Sequence, residues 1–286
     1  MLYGFLTTKE TNKKARLLIS ALFQSARRAG LNVAAFKEYE PCDILVLYGI
    51  GARDRYIIAG KHIARGGILL TWDVGYWDRM PVRERKYRVS INGQHPPQYI
   101  MRGDIPKDSR WAKSGLSITQ SGDADGPILL LGNGPKSNAI GAEGWTGQKS
   151  REIRGAFPDR KILYRAKPSR PAEPGVIYDA ISYGTIEEAL QISSLAVCRH
   201  SNVAVDACRM GVPVVCDDGA AAAIYPNALE KRHEQPDLEI RKEFLRRIAW
   251  WQWSIMEITL GEFWPWMKTV PFMVNLWKDS RLYKSS

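Results

Sequence analysis

The chain of 286 residues carries 41 Lys and Arg against 30 Asp and Glu, a formal charge of +11, and 45% of its residues are hydrophobic. That length and apolar share exclude wholesale disorder and leave room for two modest domains with buried cores. Cys42, Cys198, Cys208 and Cys216 show neither CxxC spacing nor a histidine at zinc-site distance, which predicts reduced, buried thiols in a cytoplasmic protein.

No basic-apolar-cleavage pattern opens the chain, so no signal peptide is expected. Thr11 to Ala29 has apolar residues at helical spacing and ends at Gly30, a helix with a glycine stop. Leu31 to Phe36 reads as a short strand. Cys42 to Tyr48 is a continuous apolar run of the kind found in buried parallel strands, and Gly49-Ile50-Gly51 follows it. Arg55 to Arg65 is a second helix, and Ile68 to Trp72 a strand running directly into Asp73. Gly115 to Asp125, rich in Gly, Ser and Asp, is the linker candidate.

A second alternating series then starts. Pro127 to Leu131 is a strand leading into Gly132-Asn133-Gly134-Pro135, and a helix around Gln148 to Ala156 precedes the strand Lys161 to Tyr164. Thr185 caps a helix through Ser193, with Glu187 and Glu188 where the dipole favours them. Leu195 to Cys198 is a strand, Ser201 to Arg209 a helix and Val212 to Cys216 a strand. From Pro236 onward the chain reads as helical. Residues 248–267, IAWWQWSIMEITLGEFWPWM, are the membrane candidate. Glu257, Glu262 and Pro265 interrupt them, so an aromatic amphipathic helix packed between domains is expected, and no membrane association. Strands alternating with helices imply parallel sheets covered by helices, in two βα blocks joined by a linker.

Charge is unevenly spread: residues 1–120 hold 20 Lys and Arg against 10 acids, residues 121–286 hold 21 against 20. The first half therefore suits a polyanion such as DNA, an anionic membrane surface or an acidic glycan, or is simply a solubilising surface. Arg79 to Lys113 holds nine Lys and Arg, among them Arg79, Arg83, Arg85, Lys86 and Arg88, interleaved with aromatic residues. With Tyr76 and Trp77 just before it, this mixture suits a nucleic-acid groove, and equally a solvated loop beside core aromatics.

Three stretches carry chemistry. In LAVCRHSNVAVDACRMGVPVVCDDGA (Leu195 to Ala220) a buried strand ends at Cys198 and a helix starts near Ser201-Asn202, where backbone N–H groups make a phosphate site. Asp206, one turn in, can accept from ribose hydroxyls. Arg165 and Lys167 follow a strand at its carboxyl end, the edge where open α/β sheets bind ligands. Gly132-Asn133-Gly134 starts a dinucleotide-like pattern, but Ser137 stands at the third glycine position and Arg165 where an acid is required, so a dehydrogenase reading is poor. In TWDVGYWDRMPVRERKYRVSINGQHPP (Thr71 to Pro97), Asp73 at a strand end is the first candidate for a general base and His95 the second.

Residues 127–225 resemble the donor-binding region of GT-B glycosyltransferases and of related sugar-nucleotide 2-epimerases: a polar turn, an acid in the next helix, then G-x-P-V-V. The resemblance implies His200, Ser201 and Asn202 at a diphosphate, Asp206 at a ribose, and Arg165 and Lys167, within Y-R-A-K-P, as cations beside the departing diphosphate. The Gly134 loop faces the donor. It implies an α/β fold of two Rossmann-like domains facing across a cleft: acceptor domain 1–120, donor domain 125–235, and an aromatic helical segment 236–286 crossing back to the first. The WDVGYWDR, RVSINGQHP and Leu245–Trp264 segments resemble bacteriophage-encoded glycosyltransferases, some of which modify hydroxymethylated pyrimidines in phage DNA. The expectation is transfer from a nucleotide sugar, a UDP-sugar first, to a hydroxyl of double-stranded DNA. No metal and no other cofactor is expected, since Asp123-Ala124-Asp125 has DxD spacing but sits in the linker. Rivals are a glycan or small-molecule acceptor, a 2-epimerase, and a non-catalytic DNA-binding protein.

Overall fold

The computed structural model describes residues 1–9, 11–77, 85–106, 110–134, 137–168 and 170–270. Contacts between Cα atoms divide the chain into unit 1, residues 1–106 with 250–286, and unit 2, residues 107–249. Unit 1 opens with β1 (Leu2–Leu6), α1 (Lys13–Arg28), β2 (Asn32–Phe36), β3 (Ile44–Tyr48), α2 (Arg53–Ala64), β4 (Ile68–Val74), β5 (Lys86–Ile91) and α3 (Pro97–Ile100). Unit 2 supplies β6 (Ile128–Leu131), α4 (Trp145–Ala156), β7 (Ile162–Arg165), β8 (Ala180–Ile181), α5 (Ile186–Gln191), β9 (Leu195–Cys198), α6 (Val203–Met210), β10 (Val214–Cys216) and α7 (Leu238–Ile248). The chain then returns to unit 1 with β11 (Gln252–Ser254), α8 (Ile255–Leu260) and α9 (Phe263–Thr269).

In unit 1 the strand order is β11-β5-β4-β3-β1-β2. The four strands β2, β1, β3 and β4 run parallel, and β5 and β11 close the other side antiparallel. The apolar run of β3 is buried along Ile44–Leu47, as a two-sided parallel strand requires. α1 starts where the Asn12 side chain accepts from Ala15 N at 2.9 Å, and it buries Ala15, Leu18, Ile19, Leu22 and Ala26 against the sheet. Gly4 in β1 is fixed by packing: a Cβ there would lie 2.2 Å from the Phe36 ring.

The tryptophan-rich stretch is not one amphipathic helix. A 3-10 turn at Ala249–Trp251, the strand β11 and two short helices replace it, with Ser254 and Glu257 forming a capping box at the start of α8 and Gly261 (φ 87°) ending it. Trp264 packs edge-on against Tyr3 and Phe5 and donates from Nε1 to Ser25 Oγ at 2.9 Å. Trp253 and Phe263 are fully buried beside it. Truncating such a ring costs about 3–5 kcal/mol, so this segment is part of the unit 1 core. Among the described residues no helix is long and apolar enough to cross a membrane.

Unit 2 has a five-stranded parallel sheet in the order β10-β9-β6-β7-β8. Its core gathers Ile128, Leu130, Ile153, Ile162, Tyr164, Leu195, Val197, Val215 and Leu229. The expected linker is docked rather than free. Thr119 N and Ser121 N donate to Arg209 O and Met210 O, and the buried Arg241 of α7 donates to Thr119 O, to Cys208 O and to the Gln120 side chain. Residues 107–120 and α7 accordingly lie in unit 2, and the chain crosses back at residue 250.

Candidate functional site

In unit 2, β6 and β9 are neighbours at the centre of the sheet, and the strand order reverses between them. Such a switch point opens a crevice at the carboxyl ends of the strands. Three loops leave that edge side by side: Gly132 onward after β6, Arg199–Asn202 after β9, and Asp217–Gly219 after β10. His200 joins them. Its Nε2 lies 2.7 Å from Ser137 Oγ and its Nδ1 lies 3.1 Å from Asp218 Oδ1. Asp218 Oδ2 takes a second bond from Arg199 Nε at 3.1 Å. Burial alone would raise the Asp218 carboxyl, but the hydrogen bond from His200 and the charges of His200 and Arg199 outweigh it and hold it below the ordinary carboxylate range. Neighbouring Asp217 goes the other way: burial pushes it up, against the hydrogen bond from Trp145 Nε1 at 2.6 Å. Gly219 lets the loops meet, because a Cβ there would lie 2.9 Å from His200 Cα.

Beneath the β6 loop, Glu173 accepts from Asn133 N at 2.6 Å, Thr146 Oγ1 at 3.0 Å and Tyr164 Oη at 3.3 Å. Gly132 packs on the same pair, with room for no side chain: a Cβ would lie 2.5 Å from Tyr164 Oη. The Tyr164 hydroxyl, desolvated by burial, is pushed up to about 12 and stays a neutral donor.

The sequence-predicted donor residues fall around this edge in two groups. Ser201 Oγ accepts from Val203 N at 3.3 Å and opens α6, whose first turn carries Asp206 and whose flanking residue is Asn202. Lys167 comes beside Gly134, where a Cβ would lie 3.5 Å from Lys167 Cγ. Arg165 is engaged elsewhere. Its guanidinium donates to Ser182 Oγ at 2.9 Å, Tyr183 O at 3.4 Å and Gly184 O at 2.7 Å, pinning the loop after β8. Asp123 Oδ1 accepts from Asp125 N in a local turn, and Asp125 pairs with Arg160 at 3.6 Å. A pocket of about 250 Å³ lined by Phe157, Arg160, Arg232 and Gln235 lies at the opposite, amino edge of the strands.

In unit 1, Asp73 sits inside β4 rather than beyond it, directly across from Arg88 of β5. Arg88 Nη2 donates to Asp73 Oδ2 at 3.5 Å; the Arg88 side chain is 5% exposed and that of Asp73 26%. The Tyr76 ring lies below the Arg88 guanidinium at 6.0 Å and 6.3 Å from the His95 ring. Both candidate bases thus border one polar cluster. Gln252 of β11 completes it: its Oε1, fully buried, accepts from Tyr76 N at 2.7 Å and Trp77 N at 3.4 Å. Two guanidinium donors here, Arg88 Nε and Arg55 Nη1, are buried without a hydrogen-bond partner among the described residues. Arg55 Nε donates to Gly49 O, at the end of β3.

Tyr76, Trp77 and Arg88 are buried in unit 1, so none of the three presents a stacking or phosphate-binding face at the surface. Arg85 and Lys86 are half-buried. Arg79 and Arg83 lie outside the described residues.

Over almost its full length the chain superposes on KpsC of Thermosulfurimonas dismutans, a beta Kdo 2,7 transferase, with a TM-score of 0.54, 13% identity, and coverage of 92% of this chain and 98% of that one. The fold is of the GT-B type. A second KpsC structure from that organism, a beta Kdo 2,4 transferase, matches with a TM-score of 0.45 and 12% identity over 86% and 90% of the two chains, too distant to add to the comparison. No protein-family model and no curated protein matches the sequence.

Within this GT-B-type fold, sequence reasoning missed Ser137, Asp218, Glu173 and Gln252. Ser137 was weighed only as a failed glycine position. Asp218 and Glu173 sit in loops with no spacing signal. Gln252 lay inside a segment taken for helix. One cue to Asp218 was available in the acidic pair that ends the apolar run Val212 to Cys216.

Proposed function

We propose that this protein is a nucleotide-sugar-dependent glycosyltransferase whose unit 2 holds the donor and whose unit 1 holds the acceptor. The observation carrying the reading is the convergence of the three loops after β6, β9 and β10 with the start of α6 at the switch point of a parallel sheet. Helix-start amides and short hydroxyl side chains there suit a diphosphate. Asp206, on the first turn of α6, suits a ribose. Lys167 beside Gly134 takes the role of the cation that offsets charge on the departing diphosphate. Arg165 instead shapes the 182–184 loop, since its guanidinium is engaged there. A UDP-sugar is the first donor to test.

Asp73 is the base in this reading. Its carboxylate is the more accessible of the two candidates, whereas His95 is 6% exposed. A base must come within about 3 Å of the proton it takes, directly or through one water. The acceptor is read as an anionic molecule carrying a hydroxyl. Unit 1 has 21 Lys and Arg against 12 Asp and Glu, a balance that attracts an anionic molecule. The burial of Tyr76 and Trp77 favours a glycan over stacked bases. The charge and the resemblance in Thr71 to Pro97 favour hydroxymethylated DNA as the second reading.

A thermal-shift panel of nucleotide sugars, followed by mass spectrometry of products with an acidic oligosaccharide or hydroxymethylated duplex DNA, tests both levels. Ligands that bind only the native state raise its stability with their concentration, so weak donors register. Stabilisation by one nucleotide family and a mass gain on one acceptor are expected. No stabilisation by any nucleotide sugar refutes the donor site.

A further inference from the structure

The candidate site occupies the carboxyl edge of the unit 2 sheet. At the opposite edge, the pocket of about 250 Å³ opens beside the amino ends of β6, β9 and β10. Ile128, Leu195 and Pro213 come from those ends, Phe157 closes α4, and Arg232 closes the 3-10 turn Leu229–Lys231. Ile128 and Leu195 are buried, which makes that wall apolar. Two guanidinium groups, of Arg160 and Arg232, border it, and among the described residues that line it none is acidic. A cavity with this lining favours an anion that has an apolar body.

Most of its polar groups are already engaged. Gln235 Oε1 accepts from Val214 N at 2.9 Å, and its Nε2 donates to Val214 O and Arg232 O, so the amide serves as an extra rung on β10. The Ser194 hydroxyl donates to Gly126 O at 2.9 Å. Arg160 Nη1 donates to Ala124 O at 2.9 Å and Gly126 O at 3.2 Å, and its Nη2 lies 3.6 Å from Asp125 Oδ1. Arg232 differs. Its Nη1 donates to Leu229 O at 3.1 Å, and its Cζ stands 4.6 Å from the centre of the Phe157 ring, which fixes the head group. Its Nε and Nη2 make no hydrogen bond among the described residues. Those two N–H groups form one edge of the guanidinium, a parallel pair spaced to meet both oxygens of a carboxylate.

We propose that this pocket binds a small organic carboxylate carrying one ring. The carboxylate takes the Nε–Nη2 edge of Arg232, and the ring lies against Ile128, Leu195 and Pro213. Size agrees. An apolar cavity of about 150 Å³ admits benzene, so the volume here, about 250 Å³, holds a six-membered ring together with its carboxylate. Inorganic phosphate would satisfy Arg232 but leave the apolar wall facing water, which is why the ring belongs to the proposal. All the groups involved lie in unit 2, so occupancy stabilises that unit, and no covalent bond changes.

The test is thermal unfolding of the full-length protein with benzoate, cyclohexanecarboxylate, benzamide or inorganic phosphate at constant ionic strength. Both carboxylates are expected to raise the midpoint saturably, with half the effect at about 1 mM for so small a ligand. Benzamide keeps the ring and the shape without the charge, and should have no saturable effect. Phosphate should act about tenfold more weakly than benzoate. Arg232→Lys keeps a cation beside Phe157 but loses the paired edge, and should weaken benzoate about tenfold. In wild type an arginine Nε–H resonance should move as benzoate is added, a readout that needs no variant to fold. Equal stabilisation by benzamide, tighter binding of phosphate than of benzoate, undiminished benzoate binding by Arg232→Lys, or no shift with either carboxylate overturns the proposal. The donor site at the carboxyl edge stands or falls separately, on its nucleotide sugars.

Discussion

Replacing Gln252 by Leu isolates the join between β11 and the loop after β4. Gln252 is fully buried, and its Oε1 is the acceptor for Tyr76 N at 2.7 Å and Trp77 N at 3.4 Å. Gly75 passes so close that a Cβ would lie 2.8 Å from that oxygen. Leucine fills nearly the same volume, so the cavity contribution is small. The loss is that of stranded donors: about 1–3 kcal/mol for the short bond, and less for the long one. A total of about 2–3 kcal/mol, with a urea slope of about 2 kcal/mol per molar, moves the unfolding midpoint down by roughly 1 M. Eight of the ten tryptophans belong to unit 1, so intrinsic fluorescence follows this transition. A midpoint within about 0.2 M of wild type would show that Tyr76 and Trp77 do not depend on Gln252 and would refute the reasoning.

Three further outcomes are expected. Gly219→Ala places a methyl group against His200 Cα and Cys216 Sγ; it should cost about 1–3 kcal/mol in urea unfolding of unit 2 and weaken donor binding in the thermal-shift assay, and an unchanged shift would separate the glycine from the site. Glu173→Ala removes the acceptor of Asn133 N, Thr146 and Tyr164, so unit 2 should lose about 2–4 kcal/mol, with the loop after β6 exchanging its amides faster than in wild type. Asp179 accepts from Ile162 N and Arg154 Nη2, which hold its carboxyl below the usual value. A depressed native pKa contributes stability that is complete above the unfolded-state pKa and fades as pH falls through the native one. Wild type and Asp179→Asn should therefore differ at neutral pH and converge in acid, and parallel curves across the whole range would refute that assignment.

The parallel strands were legible because two-sided burial writes itself as an uninterrupted apolar run: the runs read at Cys42–Tyr48, Ile68–Trp72 and Leu195–Cys198 hold β3, β4 and β9. Helix ends marked by Gly30 and Thr185 were legible for the same local reason, a left-handed glycine or a side chain answering unpaired carbonyls and amides. β5 was not legible. Lys86 and Arg88 make KYRVSI look like surface, and only its place between β4 and β11 buries it. β11 was hidden by five tryptophans at near-helical spacing; Trp264 packs on Tyr3 and Phe5 and the other four pack among themselves, with no continuous helix. At the site, sequence pointed to the loop containing His200 but not to what its ring touches, because Ser137 and Asp218 become its neighbours only when β6, β9 and β10 line up in register.

The discontinuity of unit 1 sets an order of events during synthesis. Unit 2 is one unbroken stretch, residues 107–249, whereas the sheet of unit 1 receives its outermost strand from residues 252–254. As the chain leaves the ribosome, unit 2 can close on its own sequence while β5 still presents an unpaired edge and Tyr3, Phe5 and Trp72 wait for their covering rings. A nascent chain from which residue 249 has just emerged would hold a finished unit 2 joined to an unfinished unit 1 with a sticky rim, the state in which a holdase chaperone has most to do.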